Sequence, residues 1–422
     1  MDEPSPSPAL ADAGSPPRAA PRGGLPRDSI LLVVSLFLVV AATNILTPLL
    51  PAVRDDFGVS IASAGWVVGA FGLARLILDL PAGVLIDRLG HRRVSIGSLV
   101  LLVASSFAGL ASPTLEVLLV ARVGSGLAVA ALATVVLAAL AATADPASRG
   151  KVLGLFPTAN NASIAFYPMA GGIIGELLGW RATFGLTAIL AIVGGFILVP
   201  LLLRIDLPRR GGGKPVRAVD DARVLYGRQR AIAIGASGFG VVATMIHRHG
   251  FRSTVLPLFA AAALGLGAIE IAAGMTVMAI TALFVGVPGG ALGDRIGRRQ
   301  VIAAGLVAMA VGDLLFLAAG NFALYLLFAA LVGLSDFFPS SQTALLTDIV
   351  PPERRTQVLA GYRFAVDVGA FIGPVLLAAV MDFGSAQAAI VLTAALLIAA
   401  ALAARLGVPA STDQLREIAP AR

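Results

Sequence analysis

Long apolar segments constrain this chain more than any other feature. A helix needs about 20 apolar residues to cross a bilayer, and twelve segments reach or approach that length: 30–51, 62–86, 94–111, 114–140, 152–175, 183–203, 231–260, 268–292, 301–319, 322–346, 357–380 and 386–406. The apolar runs are continuous rather than alternating, which favours helices over the strands of a membrane barrel. With 58% hydrophobic and 13% charged residues and a mean hydropathy of +0.91, the chain is predicted to be an all-α membrane protein.

Two similar basic turns indicate that the chain is a duplication. Residues 83–93 read Gly-Val-Leu-Ile-Asp-Arg-Leu-Gly-His-Arg-Arg, and residues 290–299 read Gly-Ala-Leu-Gly-Asp-Arg-Ile-Gly-Arg-Arg. Apolar segments flank both turns in the same way, at an offset of about 207 residues, which equates Asp87 with Asp294 and Gly126 with Gly333. Such a repeat is typical of transporters built from two parallel halves.

The predicted organisation has five parts. A Pro-, Ser- and Ala-rich tail that should be disordered covers 1–28, a six-helix bundle covers 29–203, a basic Gly-rich linker covers 204–230, a second six-helix bundle covers 231–406, and a short tail covers 407–422. The first apolar run is too long for a signal peptide, so we expect it to be retained as a spanning helix.

The basic residues orient the chain rather than bind nucleic acid. The net charge is +7, but most Lys and Arg residues lie in the tails and in the even-numbered connections, and only Arg54 and Arg181 lie in the odd ones. This distribution follows the positive-inside rule and predicts an inner (plasma) membrane protein with both termini in the cytoplasm. No cysteine is present, so thiolate metal sites and thiol nucleophiles are excluded.

The two basic turns are candidate cytoplasmic gates. Asp87 follows the C-terminal part of its helix, where a carboxylate is unfavourable unless cations or a helix N-terminus compensate it. Partners that change as the helices move would explain it, whereas a simple topology anchor would explain only the arginines, which suit an anionic lipid interface. The candidate gate residues are Gly83, Asp87, Arg88, Gly90, Arg92, Arg93, Gly290, Asp294, Arg295 and Arg298.

The first basic turn, residues 83–93, resembles the signature loop of the major facilitator superfamily, with His91 in place of the usual Arg or Lys. Twelve helices, a basic central linker and cytoplasmic termini are similar to that family along nearly the whole chain. The resemblance implies two six-helix bundles, with helices one, four, seven and ten lining a central cavity.

Two further motifs resemble those of proton-coupled drug exporters. Leu118, Arg122, Ser125 and Gly126 match a motif of the fourth helix, although Ser125 stands where those exporters usually have Gln. The resemblance implies a role for Arg122 in proton transfer; a structural arginine bonded to backbone carbonyls is the alternative.

The fifth helix resembles the antiporter motif, but Ser163 and Tyr167 replace its first two glycines. Candidate polar residues of the cavity in the first and fifth helices are Asn44, Asn161 and Tyr167, and a hydrogen bond to a neighbouring helix is the alternative for Asn44.

The seventh helix carries His247, Arg248, His249 and Arg252 in an apolar segment. Arg248 and Arg252, one turn apart, would attract an anionic substrate or pair with acids elsewhere; a helix break that brings them to the outer interface is a third possibility. Two histidines at this spacing do not converge on a metal ion.

Charged residues also recur in the second, tenth and eleventh helices. Arg75 and Asp79 are one turn apart, as are Arg363 and Asp367, which predicts an ion pair within each helix, with a transport role as the alternative for the first. Asp336 has no basic residue within one turn. Burial favours its neutral form and an approaching Arg122 or Arg248 its ionised form, so we expect Asp336 to carry the coupling proton. Permanent pairing across the cavity is the alternative.

These observations favour a secondary transporter that exports small amphipathic or drug-like molecules in exchange for protons. Uptake of a small organic anion is the main alternative, and an intramembrane enzyme or lipid scaffold is a third. No nucleotide-binding loop or hydrolase motif is present in the sequence. We expect no cofactor and no metal, and a monomer whose partners are its substrate, protons and membrane lipids.

Overall fold

The protein is an all-α membrane protein with twelve spanning helices in two six-helix bundles. The computed structural model describes residues 27–79, 81–145, 148–205, 227–349 and 355–409. Most of the tails and of the linker 204–230 therefore lies outside the described residues. Eleven described helices are long and apolar enough to span a membrane, and Arg149–Leu178, the more polar twelfth, packs among them.

The first bundle contains helices α1 to α6. Helix α1 spans Arg27–Phe57 with irregular turns; the others are α2 Ile61–Asp79, α3 His91–Leu110, α4 Leu115–Thr143, α5 Arg149–Leu178 and α6 Ala182–Arg204. A short helix, Ala82–Leu89, precedes α3. Gly90, with φ of 84°, makes the turn into α3, a conformation that L side chains rarely adopt.

The second bundle contains helices α7 to α12. Helix α7 covers Gly227–Leu264 and α10 covers Phe322–Ile349, each in segments described below, and the others are α8 Ala268–Ile296, α9 Arg298–Leu315 with a further turn at Phe316–Ala318, α11 Arg355–Phe383 and α12 Ala386–Gly407. The two bundles repeat the same packing. Gly126 of α4 approaches the Phe71 carbonyl of α2, and Gly333 of α10 approaches the Met278 carbonyl of α8, with both members shifted by 207.

Two of the predicted spans are not continuous α-helices in the structure. The predicted span 231–260 contains ten residues of π-helix, Ile246–Val255. The predicted span 322–346 is broken into Phe322–Leu334 and Pro339–Ile349. Pro339 begins the second piece, as expected for a residue that lacks a backbone N–H and restricts the residue before it.

The apolar cores show how the bundles are joined. We call the end that carries the two basic turns the basic end, and the opposite end the far end. Towards the far end one core contains residues of both bundles, such as Leu50, Trp180 and Phe259. Towards the basic end each bundle has its own core, around Leu140 in the first and Leu397 in the second. The bundles are thus closed together at the far end and separate at the basic end.

Candidate functional site

A cavity lies between the two bundles, at the point where they begin to separate. It encloses about 370 Å³ of space not filled by atoms, part of it open to solvent. Its walls come from α1, α2, α4, α7 and α11: Thr43, Asn44, Thr47, Val68, Phe71, Gly72, Arg75, Arg122, His249, Ser253 and Ala370. A concave site with both polar and apolar walls is typical of sites that bind small organic molecules.

Arg122 lies in the cavity wall and is held by backbone carbonyls. It donates to the carbonyls of Val67 (3.0 Å) and Ala42 (2.7 Å), and its guanidinium stacks over Phe71 with 4.7 Å to the ring centroid. No acid pairs with it among the described residues. The contacts match the alternative in which Arg122 is bonded to carbonyls, and they leave a buried cation beside the cavity.

Asn44 lies in the cavity wall and also bonds to a neighbouring helix, the two alternatives considered for it from the sequence. It lines the cavity and donates to the Ser163 hydroxyl of α5 at 3.3 Å. Thr43 and Thr47, which flank it on the wall, were missed by the sequence analysis because hydroxyls are common in membrane helices. The other α5 candidates are elsewhere. Tyr167 is buried against Phe37 of α1, to whose carbonyl it donates at 2.9 Å, so its assignment to the cavity is wrong. Asn161 is exposed and lies outside the cavity wall.

The π-helix of α7 positions its charged cluster. With i to i+5 geometry, side chains five residues apart become neighbours on successive turns. Ser253 accordingly donates to the Arg248 carbonyl at 3.2 Å, and Arg252 Nε donates to His247 Nε2 at 2.9 Å. Arg248 and Arg252 face helix α10, which removes the possibility that a helix break places them at the outer interface.

Asp336 receives both guanidinium groups. It lies in the break of α10 and is 7% exposed. Arg248 Nη2 is 2.6 and 2.7 Å from its two carboxylate oxygens, and Arg252 Nη1 is 3.3 Å away. Of the two arginines expected to approach Asp336 from other helices, Arg248 does so in this conformation and Arg122 does not. The geometry favours the alternative, a carboxylate paired across helices.

His247 is directed away from the cavity. It forms a hydrogen bond of 2.9 Å with Asp313 of α9, and neither side chain is exposed. His249, two residues on, is the histidine that lines the cavity. Asp313, for which the sequence offers no account, is thus the partner of His247, and no group of three potential metal ligands is found in the described part of the chain.

A second charged cluster joins α2 to α11. Arg75 is 4.0 Å from Asp79 of its own helix and 3.5 Å from Asp367 of the other bundle. The predicted pair of Arg363 with Asp367 is wrong, since Arg363 is exposed and forms no ion pair with a described residue. Asp367 instead points to the first bundle.

Among the described residues, the hydrogen bonds and ion pairs of the basic turns stay within their own bundles. Arg92 donates to the Leu203 carbonyl of α6, and Arg299 donates to the Val408 carbonyl after α12. Arg298 pairs with Asp294 at 3.4 Å and, more closely, with Asp348 of α10. Asp87 is half-buried and has no hydrogen-bond or ion-pair partner in the described ranges. Gly83 permits no close helix approach here, because a Cβ atom would have nothing within 4 Å.

Comparison with sequence families and curated proteins gives consistent matches. The family model of the Major Facilitator Superfamily matches residues 32–247 and 248–422. The cephamycin export protein of Amycolatopsis lactamdurans is 32% identical over 190 residues, 42% of this chain and 39% of that protein. The puromycin resistance protein of Streptomyces alboniger is 32% identical over 189 residues, 42% of this chain and 37% of that protein. The chain thus spans less than half the length of these two relatives.

Solved structures share the fold along nearly the whole chain. A bacterial homolog of the human lysosomal transporter Spinster, in an inward-facing conformation, has a TM-score of 0.74 at 16% identity, covering 93% of this chain and 98% of that one. A peptide transporter in complex with alafosfalin has a TM-score of 0.75 at 15% identity, covering 91% and 94%. At these identities the likeness concerns the fold alone.

Proposed function

The chain belongs to the Major Facilitator Superfamily and is a membrane transporter rather than an enzyme, and from that premise we propose that it exports small amphipathic or drug-like molecules in exchange for protons. Support for the direction and the substrate class comes from relatives that are named for antibiotic export or resistance. The proposal extends to a monomer that exchanges its substrate and protons across the inner (plasma) membrane.

The orientation follows from the basic end. We assign that end, with both termini, to the cytoplasm, because Lys and Arg residues are retained on that side of a membrane. The guanidinium groups of Arg88, Arg92 and Arg93 would then meet the anionic headgroups of the inner leaflet.

The observation that carries the proposal is a cavity that is closed on one side only. A core shared by the two bundles seals it from the far end, while the separate cores towards the basic end leave the bundles apart there. In the proposed orientation the cavity faces the cytoplasm and is ready to receive substrate for export. Rocking of the bundles would then expose the same site to the outside, as in alternating access.

One observation still supports the alternative function, uptake of an organic anion. Arg248 and Arg252 are both engaged by Asp336 and neither lines the cavity, so they do not argue for an anionic substrate. Arg122, however, is a cation without an acidic partner among the described residues, and it lines the cavity. Competition between neutral, cationic and anionic compounds for transport distinguishes the two candidates.

The proposal is tested by comparing what accumulates in cells with and without the protein. We expect expressing cells to contain less of one or a few small amphipathic compounds, and the difference to vanish when a protonophore collapses the pH gradient. Puromycin and chloramphenicol are the first defined probes, each with empty-vector cells as the control. Greater accumulation of an organic anion in the expressing cells would support uptake instead, and a difference that survives the protonophore would contradict proton coupling.

A further inference from the structure

The cluster of Arg75, Asp79 and Asp367 has one carboxyl group more than it has arginines. Arg75 and Asp79 belong to the first bundle and Asp367 to the second, so the cluster bridges the two halves. The nearest further cation, Arg363, is exposed and forms no ion pair with a described residue. If both carboxyl groups were ionised, the cluster would carry one uncompensated negative charge inside the membrane, which is costly.

Asp367 is the least satisfied member. Its side chain is 2% exposed, and its Oδ1 atom, 3.5 Å from Arg75 Nη2, accepts no hydrogen bond from the described part of the chain. The carboxyl groups of Asp79 and Asp367 are within hydrogen-bonding reach of each other. Two carboxylates are acceptors only, so a hydrogen bond between them requires a proton on one.

Among the surrounding groups only Arg363 adds positive charge near Asp367, and it acts at a distance because it forms no ion pair with that residue. From α7, His249 is near Arg75, and Arg248 is already engaged by Asp336. Helix α11 itself contributes Tyr362 and the exposed Arg363. Neighbouring carboxyl groups of this kind titrate as a pair that shares one proton.

We propose that Asp79 and Asp367 hold one exchangeable proton between them around Arg75, and that this is the proton exchanged for substrate. The inference rests on the proposed proton-coupled transport and adds its binding site. Arg75 also lines the cavity, so loss of the proton adds a negative charge to the cavity wall and its return removes that charge. A cationic substrate and the proton are then favoured in alternation, which is the coupling an antiporter needs.

The position of the cluster links this proton to the change of conformation. Asp79 and Arg75 are 21% and 30% exposed, and Arg75 lines the solvent-open cavity, so water reaches the pair in this conformation. Because the carboxyl groups lie on opposite bundles, rocking changes the distance between them and with it the hydrogen bond that holds the proton. Proton affinity therefore differs between the two conformations.

The first test detects the proton directly, without any substrate. Infrared difference spectra of the purified full chain, recorded between acidic and alkaline pH, should contain the C=O band of a protonated buried carboxyl group. Asp367→Asn should abolish that band. Asp79→Asn, at a more exposed position and less prone to misfold, should abolish it too, because the remaining acid forms a one-to-one pair with Arg75. Asp145→Asn, which changes an exposed acid, is the control and should leave the band intact.

The second test measures coupling to conformation. The double variant Asp55→Cys with Phe383→Cys carries one spin label on each bundle, at exposed far-end positions. The labels attach only at these two sites, because the chain has no native cysteine. The distance distribution should depend on pH in the otherwise native chain and become independent of pH in both Asn variants. A pH-independent native distribution, or a carboxyl band that survives in both variants, would overturn the proposal. Failure of drug export in cells would leave these two results unchanged.

Discussion

Arg248 and Arg252 share a single carboxylate, Asp336, in the interior of the second bundle. A buried charge is tolerated only when it is paired and hydrogen-bonded, and removal of one partner leaves the others uncompensated. Asp336 satisfies two cations at once, while Arg252 also donates to His247, which in turn contacts Asp313. At the scale of residues, this chain of contacts fixes α7, α9 and α10 to one another.

Asp336→Asn should therefore destabilise the protein as well as reduce transport. We expect a loss of about 3–5 kcal/mol, the usual cost of breaking a buried ion pair, measured by chemical or thermal unfolding in detergent. The double variant Asp336→Asn with Arg248→Gln is the matched control and should recover part of the loss, since it removes one stranded cation. A single variant as stable as the native chain, with only gradient-driven transport lost and exchange at equal pH retained, would restore Asp336 as the coupling acid.

The sequence identified these charged residues but not their partners. A charge within an apolar segment is rare, so Asp336, Asp367, Arg75 and Arg248 could be selected from the sequence. Their pairing could not, because spacing along a chain reports only neighbours on the same helix. Arg363 and Asp367 satisfy the i, i+4 rule, yet Asp367 contacts Arg75 of the other bundle.

Helices α2 and α11 form the most extensive contact between the described parts of the two bundles. Gly65, Gly69 and Gly72 lie along this contact, and a Cβ atom on Gly65 would come within 2.3 Å of the Ala378 Cβ and 2.8 Å of the Pro374 carbonyl oxygen. Small residues allow membrane helices to pack backbone to backbone. At the scale of elements, the far-end closure depends on the absence of side chains at these positions.

Gly65→Leu should force α2 and α11 apart and shift the protein away from the present conformation. Overpacking of a closed interface costs about 1–3 kcal/mol, enough to change the populations of two conformations about tenfold. The labels at residues 55 and 383 should report a longer far-end distance. Gly97→Leu is the control, because a Cβ atom there meets nothing within 4 Å. Equal effects of the two variants would show that the change acts through helix stability rather than through this interface.

Helix number and position could be predicted from hydropathy, but the internal geometry of the helices could not. Each predicted span overlaps an observed helix, since about 20 apolar residues suit only a spanning helix. The π-helix at 246–255 packs against α10 and α11, and its hydrogen-bond register cannot be read from hydrophobic periodicity. The break at Asp336 had one local signal, Pro339, which the sequence analysis did not use.

At the scale of the whole molecule, two carboxylates hold the far end closed in a symmetrical way. Asp382, at the end of α11, accepts from the first helical N–H of α2, Ile61, at 3.2 Å. Glu176, at the end of α5, accepts from the N–H of Ile269 in α8 at 3.1 Å. Both bonds cross between bundles, and each places a negative charge at a helix N-terminus, where the helix dipole favours it. The basic end has no counterpart among the described residues, because the bundles are apart there.

Closure of the basic end should give Asp87 the partner that it lacks in this conformation. In alternating access the two ends are not open at the same time, so the conformation that opens the far end must close the basic end and bring the basic turns towards the other bundle. Asp87→Asn removes the only acid of the first turn and should reduce transport by at least about tenfold, a penalty of about 1.4 kcal/mol on the closed basic end. The amount of folded protein in the membrane should remain near the native level, because Asp87 has no hydrogen-bond or ion-pair partner among the described residues. Asp145→Asn, an exposed acid at the same end, should alter neither quantity. Parallel loss of transport and of folded protein in Asp87→Asn would instead assign Asp87 a purely structural role.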